Sequence, residues 1–474
     1  MSSPAKSAVE RWPRQIKFIV GNEACERFSY YGMRSILAGY ITGAVLKGGL
    51  GQDADASTEI IHTFVFANYF MPLFGAWLSD KIIGRYHTIL WVSLFYCAGH
   101  GVLACSELAG TVHGKLLLLY TGMALIAFGS GGIKPCVSAF VGDQFKPEQS
   151  HLLQKAYGAF YWAINLGSFF SFLAVPWVKD RHGYSLAFGV PGILMAIATF
   201  IFWLGRKHYV CVPPSRETKS AGFFKVFWHA LAGKRALGQG FWNAARDRFS
   251  ETEIDAAKSV LPILLVFALI PPFWSLFDQC NSTWVLQGEK MVPARILGLD
   301  IGAEQMQSMN PLIVMILVPL FTLGIYPHIG RFAAPLRRMS YGMFLGAASF
   351  LVVALLQARL EAGAQLSVLW QTVPYLILTA AEVLLSTTGL EFAFREAAPE
   401  MKSIIMSFWF LTIAFGDLFV VAVTKLFASA SDHAASVSTN RFLLYAGMTF
   451  GVAILFSLVA TFYKYRDQSA AQGK

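Results

Sequence analysis

Charge is scarce in this 474-residue chain: Asp, Glu, Lys and Arg together make up 14% of it, against roughly 25% in an ordinary soluble protein. With 55% hydrophobic residues, 40 Phe and 12 Trp, the apolar surface cannot all be hidden in a water-soluble core, so lipid is the solvent for most of it. Cysteine is sparse as well. Cys25, Cys97, Cys105, Cys136, Cys211 and Cys280 are scattered, mostly in apolar stretches, with no C-x-x-C pair and no His at ligand spacing; they read as small buried side chains, and neither a metal centre nor a cofactor is expected. The sequence also lacks a G-x-S-x-G elbow and an H-E-x-x-H pair, so an intramembrane enzyme has none of its pieces. No small-residue cleavage site follows the basic N-terminus, and the first apolar run is expected to stay in the protein.

What is present is a series of apolar stretches long enough to cross a bilayer as helices. They fall at about 16–46, 58–82, 87–107, 115–140, 153–176 and 186–205, then at about 259–286, 308–330, 336–358, 366–391, 402–428 and 441–463. Six plus six predicts an all-α polytopic membrane protein of twelve transmembrane helices, in two six-helix halves, 1–205 and 259–474. Between them, 206–258 is rich in Lys, Arg, Ser and Gly, and its apolar residues (Phe223, Phe224, Val226, Phe227, Trp228) are too interrupted to span. It is expected to form a cytoplasmic linker with an amphipathic helix lying on the membrane surface. The net charge of +10 raises the question of a nucleic-acid partner, and the topology answers it. With both termini inside, 26 Lys and Arg fall in inner segments and eight in outer loops, the bias that orients a chain in a bilayer. No nucleic acid is expected.

Two six-helix halves joined by a basic linker are the plan of the major facilitator fold, whose substrate site lies near the bilayer midplane between the halves. Between the second and third spans, Gly75-x-x-Leu78-Ser79-Asp80-Lys81-x-x-Gly84-Arg85 resembles that superfamily's cytoplasmic gate signature. Gly75 and Gly84 let helices approach closely, and Asp80 can pair with a helix terminus or an Arg.

Charged groups inside a bilayer cost from about 2.5 to over 10 kcal/mol each, so those that occur mark pathways. Seven lie well within the spans: Glu23, Glu26, Asp278 and Glu382 against Arg27, Arg34 and Lys134. Glu23, Glu26, Arg27, Tyr30 and Arg34 recur at steps of three and four and share one face of the first helix, where Glu23 and Arg27 can pair. That face must line a cavity or a helix contact. His62 and Tyr69 are seven apart in the second span, and Tyr161, Asn165 and Ser168 are in the fifth. Trp274 and Asp278 are at i,i+4 in the seventh, Asn310 is in the eighth, and Glu382 and Ser386 are at i,i+4 in the tenth. For an isolated Asn or Ser, interhelical hydrogen bonding is the equal alternative.

Four acids face three bases, and an unpaired buried carboxylate holds a proton in place of a charge, which points to a proton site among them. His62 is the other group whose ordinary titration lies near neutral pH. The cations Arg34 and Lys134 belong to the first half, Asp278 and Glu382 to the second. A central cavity would then be positive on one wall and negative on the other, which suits a zwitterion such as a short peptide: carboxylate on Arg34 and Lys134, amine at Glu382, amide on Asn165 and Asn310. Asp417, mid-span in the eleventh helix, has three readings: a second titrating site, a place near water, or a partner of Lys425.

Glu23-x-x-Glu26-Arg27-Phe28-x-Tyr30-Tyr31-Gly32 looks like the first-helix signature of the proton-dependent oligopeptide transporters, the POT or PTR family. Three further stretches resemble its other signatures in order: Gly132-Ile133-Lys134-Pro135 followed by Phe140-Val141-Gly142-Asp143-Gln144-Phe145, then Phe160-Tyr161-x-x-Ile164-Asn165-x-Gly167-Ser168, then Phe273-Trp274-x-x-x-Asp278-Gln279. The resemblance implies import of di- and tripeptides in symport with protons, by alternating access, in the cell (inner) membrane, driven by the proton gradient without a cofactor, and by a monomer. Its motif positions imply a peptide cavity made of Arg34, Lys134, Asn165, Tyr30, Tyr69, Tyr161, Asn310, Trp274, Glu382 and Ser386, with proton coupling at Glu23, Glu26 and Arg27. Ile61-His62-Thr63-Phe64-Val65 resembles the second-helix segment of the mammalian members, whose His is linked to protonation, and suggests a relay between His62 and Asp278. In that scheme external protons neutralise His62, Asp278 or Glu23 and loosen ion pairs across the halves.

The chain departs from the family in two places: Asp278 is shorter than the Glu common in bacterial members, which argues against its reaching Arg34, and 206–258 is too polar to supply the two extra helices many of them carry. On the same fold, a carrier of nitrate or another small anion is the alternative, disfavoured by Glu382; a proton-coupled drug exporter would differ in the direction of flux.

Overall fold

A computed structural model of the chain describes residues 12–214, 222–233, 240–296, 298–328, 330, 334–398, 401–427, 435–463 and 465. Lys6, Arg11, Arg216, Lys219, Lys234, Arg235, Arg331, Lys464, Arg466 and Lys474, which enter the charge asymmetry, lie outside the described residues. Each expected span is occupied by helix. The first half comprises α1 (16–42), α2 (54–78), α3 (Gly84–Ala104), α4 (Val112–Asp143), α5 (150–182) and α6 (184–204). The second comprises α7 (251–288), α8 (Gln305–His328), α9 (Pro335–Glu361), α10 (368–396), α11 (Lys402–Phe427) and α12 (Thr439–Phe462).

Local chemistry sets the ends of these helices. Asp53, Thr111 and Ser438 accept the backbone N–H groups of Ala56, Gly114 and Arg441 at the starts of α2, α4 and α12, and Ser250 and Glu253 form a capping box at the start of α7. Each satisfies donors that the first helical turn leaves unpaired. The chain reverses between α2 and α3 at Gly84 (φ +79°) and between α5 and α6 at Gly183 (φ +83°), a backbone region closed to most side chains. Pro271 and Pro272 follow a 45° bend that divides α7 into Glu251–Phe267 and a second piece running on from Pro271. The expected start of the second half at 259 is thus late by two turns, because 251–258 is polar and helical at once.

Around the girth of the molecule large apolar side chains point outward, among them Trp91, Phe95, Leu117, Phe200, Leu323, Leu355 and Leu458. Such an exterior suits hydrocarbon, where helices satisfy their own backbone groups. Two further features stand outside the helical spans. A small antiparallel hairpin, Ala294–Ile296 with Leu299–Ile301, sits between α7 and α8 in an otherwise helical chain. The linker helix, Phe223–Ala232, buries Phe223, Val226 and Ala230 against the second half, with Phe223 edge-on to Phe408 of α11. Its contact is with protein, while Phe224, Trp228 and Leu231 remain outward.

Helices α2 and α4 touch backbone to backbone: a Cβ on Gly75 would stand 2.6 Å from the Cα and carbonyl oxygen of Gly132. Gly75→Leu forces the pair apart, and overpacking of this kind costs about 1–3 kcal/mol. A lower melting temperature in detergent checks it, with Gly101→Ala, where a Cβ meets nothing within 4 Å, as the neutral control.

Candidate functional site: the cavity between the halves

A cavity of about 460 Å³ lies between the two halves. From the first half, α1 lends Glu23, Arg27, Tyr31 and Arg34, α2 Tyr69, α4 Lys134, and α5 Tyr161, Asn165 and Ser168. From the second, α7 lends Trp274 and Asp278, α8 Asn310, α10 Glu382 and Ser386, and α11 Trp409. The predicted cavity residues therefore converge, with one exception. Tyr30 is wholly buried behind the wall, its ring 4.7 Å beneath the Lys134 ammonium, and its neighbour Tyr31 takes the lining position. Spacing carried the signal, since Arg27, Tyr31 and Arg34 follow at i, i+4 and i+7 on one helix face.

Most charges at the cavity are neutralised within the protein. Arg27 Nε lies 3.0 Å from Glu23 and 2.5 Å from Glu26, the latter fully enclosed behind the cavity. Arg34 Nη2 donates to Asp278 Oδ1 at 2.6 Å, so the shorter acid does reach across, because α1 and α7 approach closely enough. Lys134 and Glu382 are different. Lys134 Nζ donates to the neutral amide of Asn68 (2.7 Å) and stands 4.0 Å over the Tyr69 ring; Glu382 accepts from the neutral amide of Asn310 (2.7 Å). Internal pairing thus concentrates the cavity's opposite poles on Lys134 in the first half and Glu382 in the second. Asn310, expected to meet a ligand amide, is committed to Glu382 and Thr379. The Asn165 amide donates to the Tyr161 carbonyl (2.9 Å), and the Trp274 indole N–H to Thr412 (3.1 Å).

His62 does not pair with Asp278 as expected. Its Nδ1 lies 2.7 Å from Asp417 Oδ1 and its Nε2 2.9 Å from Ser282 Oγ, both from the second half. Lys425, one of the partners considered for Asp417, instead meets Glu59 at 2.9 Å. These contacts lie on the face of the molecule away from the linker, where the halves are fastened repeatedly. Asp55 accepts from the Ser436 N–H (2.7 Å), Lys179 reaches Glu304 (2.5 Å), and the Gln307 amide donates to the Ser35 carbonyl (3.0 Å). Toward the linker face a second hollow of about 520 Å³, lined by Ala76, Asp80, Arg85 and Tyr157 of one half and Lys402 of the other, shares Ser138, Met406 and Phe410 with the central cavity. At that face Arg85 donates to both oxygens of Asp143 at 2.7 Å and lies 3.7 Å from Asp80, so the gate motif ties the start of α3 to the end of α4 more tightly than to its own turn.

Among the described residues, helices long enough to span a bilayer, gathered around a polar cavity that is fastened at one face, define the major facilitator architecture. The POT family model matches residues 86–440, and the chain belongs to that family. It is 38% identical to "Peptide transporter family 1" of Drosophila melanogaster over 368 residues, which is 74% of this chain and 49% of that one. Against human "Solute carrier family 15 member 1" the identity is 37% over 380 residues, 74% of this chain and 52% of that one. The chain spans about half the length of the curated relatives it matches. The crystal structure of the POT family transporter PepTSo superposes with a TM-score of 0.86 at 38% identity, covering 95% of this chain and 98% of that chain.

Removing one member of a buried ion pair leaves the other uncompensated, at about 3–5 kcal/mol. Arg34→Met should therefore lower the melting temperature in detergent strongly, and Arg34→Met with Asp278→Leu should recover much of the loss. A double variant no better than the single one would contradict the pairing.

Proposed function

We propose that the protein is a proton-coupled importer of di- and tripeptides, working by alternating access as a monomer in the cell (inner) membrane with both termini cytoplasmic. Transport moves the peptide unaltered, and the proton gradient drives it without a cofactor. The observation that carries this reading is the bipolar cavity: Lys134 and Glu382, held by neutral partners on opposite halves, match the carboxylate and ammonium of a zwitterion. A bare anion satisfies Lys134 and is repelled by Glu382. Aromatic walls from Tyr31, Tyr69, Tyr161 and Trp274 offer side chains of varied shape a sequence-tolerant surface.

In this reading the fastened face is the outer one, so the conformation is closed outside with the cavity continuing inward. Glu23, Glu26, Arg27, His62 and Asp278 couple proton movement to the exchange between states. An inward-negative potential contributes about 2.3 kcal/mol per charge per 100 mV, enough for tens-fold accumulation with each co-transported proton.

Purified protein in liposomes is expected to take up dialanine under an inward proton gradient, and no uptake would refute the proposal. Lys134→Met and Glu382→Gln should each weaken dialanine competition at least tenfold, about 1.4 kcal/mol. N-acetyl-dialanine, which lacks the ammonium, should compete poorly against the wild type and lose that handicap in Glu382→Gln.

A further inference from the structure

His62 and Asp417 are wholly buried, and neither lines the cavity. One oxygen of Asp417 meets His62 Nδ1, and the other, Oδ2, is enclosed without a donor. The carboxyl of Asp278, which accepts from Arg34, is the nearest influence of like charge on Asp417. The charged groups facing Asp417 are thus His62 from α2, Arg34 from α1, Asp278 from α7 and Lys134 from α4. Facing His62 are Asp417, Ser282 and Arg34.

A wholly buried carboxylate that faces a second carboxylate is disfavoured in its charged form, and a proton on it removes the repulsion. A single proton on Asp417 Oδ2 completes the chain of donors. The Ser282 hydroxyl donates to His62 Nε2, His62 Nδ1–H donates to Asp417 Oδ1, and Asp417 Oδ2, otherwise enclosed without a donor, carries the proton. Arg34, Asp278, Asp417 and a neutral His62 then sum to zero charge. Without that proton the sum is minus one, buried where α1 and α2 of one half meet α7 and α11 of the other.

We infer that Asp417 is a proton-binding residue, and that the proton it takes from outside seals the outer end of the carrier. This rests on the importer reading and adds the order of events: the proton must load before the outer end closes, so it is enclosed with the peptide and leaves toward the inner face. At this cluster protonation fastens the halves, the reverse of the loosening expected from the sequence.

Asp417→Asn tests this, because Asn keeps the shape and the hydrogen bond to His62 but is permanently neutral. In proteoliposomes the variant should retain dialanine counterflow at equal pH within about twofold of wild type, and lose at least tenfold of the uptake driven by an inward proton gradient. Driven uptake within twofold of wild type overturns the inference, since a purely structural His62–Asp417 contact survives in Asn. If the variant loses counterflow as well, Asp417→Glu decides: tenfold or greater recovery of driven uptake over Asp417→Asn supports a titrating carboxyl, and none overturns it. Should wild type move no dialanine at all, the transport reading fails separately, and infrared difference spectra of the lipid-embedded protein still read the site. A protonated-carboxyl band that is present in wild type, shifted in Asp417→Glu and missing in Asp417→Asn supports it; a band unaffected by both overturns it.

Discussion

An ionised side chain placed in hydrocarbon must be neutralised by another part of the protein, and that requirement decides where these twelve helices meet. Glu23 and Glu26 share the single guanidinium of Arg27 within about one turn of α1. Arg34 pairs outside its own helix, since its acid is on α7, and His62 of α2 finds its carboxylate on α11. The charges left to pair across the interface are thus the ones that hold the two halves together. If the proposed importer parts its halves in each cycle, the fastenings it must release include these buried pairs.

The arrangement separates recognition from coupling. Lys134 and Glu382 lie on the cavity wall with neutral hydrogen-bond partners, which in the proposed reading leaves each available to a ligand. Asp278 stands at the junction, exposed to the cavity on one side and, on the other, joined to Arg34 and facing Asp417. Whatever alters its balance is felt both by an occupant of the cavity and by the seal, and this gives a physical path for one to influence the other without any change in distant parts of the fold.

Apolar run length alone placed all twelve spans, because a bilayer admits few other solutions, and spacing on single helices placed most of the cavity lining. What spacing could not give was the rotation of one helix against another. Tyr30 and Tyr31 are both compatible with the polar stripe of α1, and the packing of Tyr30 against Phe64 and beneath Lys134 places it behind the wall. Likewise nothing within α2 or α11 says that His62 selects Asp417 over Asp278; that depends on a crossing between segments 355 residues apart. The expectation that Asp278 was too short for Arg34 failed for the same reason, since reach depends on helix separation as well as side-chain length. The linker helix Phe223–Ala232 was legible as amphipathic, and composition could not say that its buried side would meet α11.

The antiparallel contact of α2 with α11 has a gradient along it. From the end inward come Glu59 with Lys425, His62 with Asp417, and Tyr69 stacked beside Phe410. The Glu59 and Lys425 side chains are 40% and 61% exposed, whereas His62 and Asp417 are at 0%. Water already competes for the outermost rung and separating it costs little; the rung deeper costs more, because a drier pair must be hydrated as it parts. The two helices therefore behave as a zipper that frays readily at its mouth and resists toward the centre. Brief partings of the rim can come and go without reaching the buried pair of His62 and Asp417, which is the costliest contact of the series to hydrate.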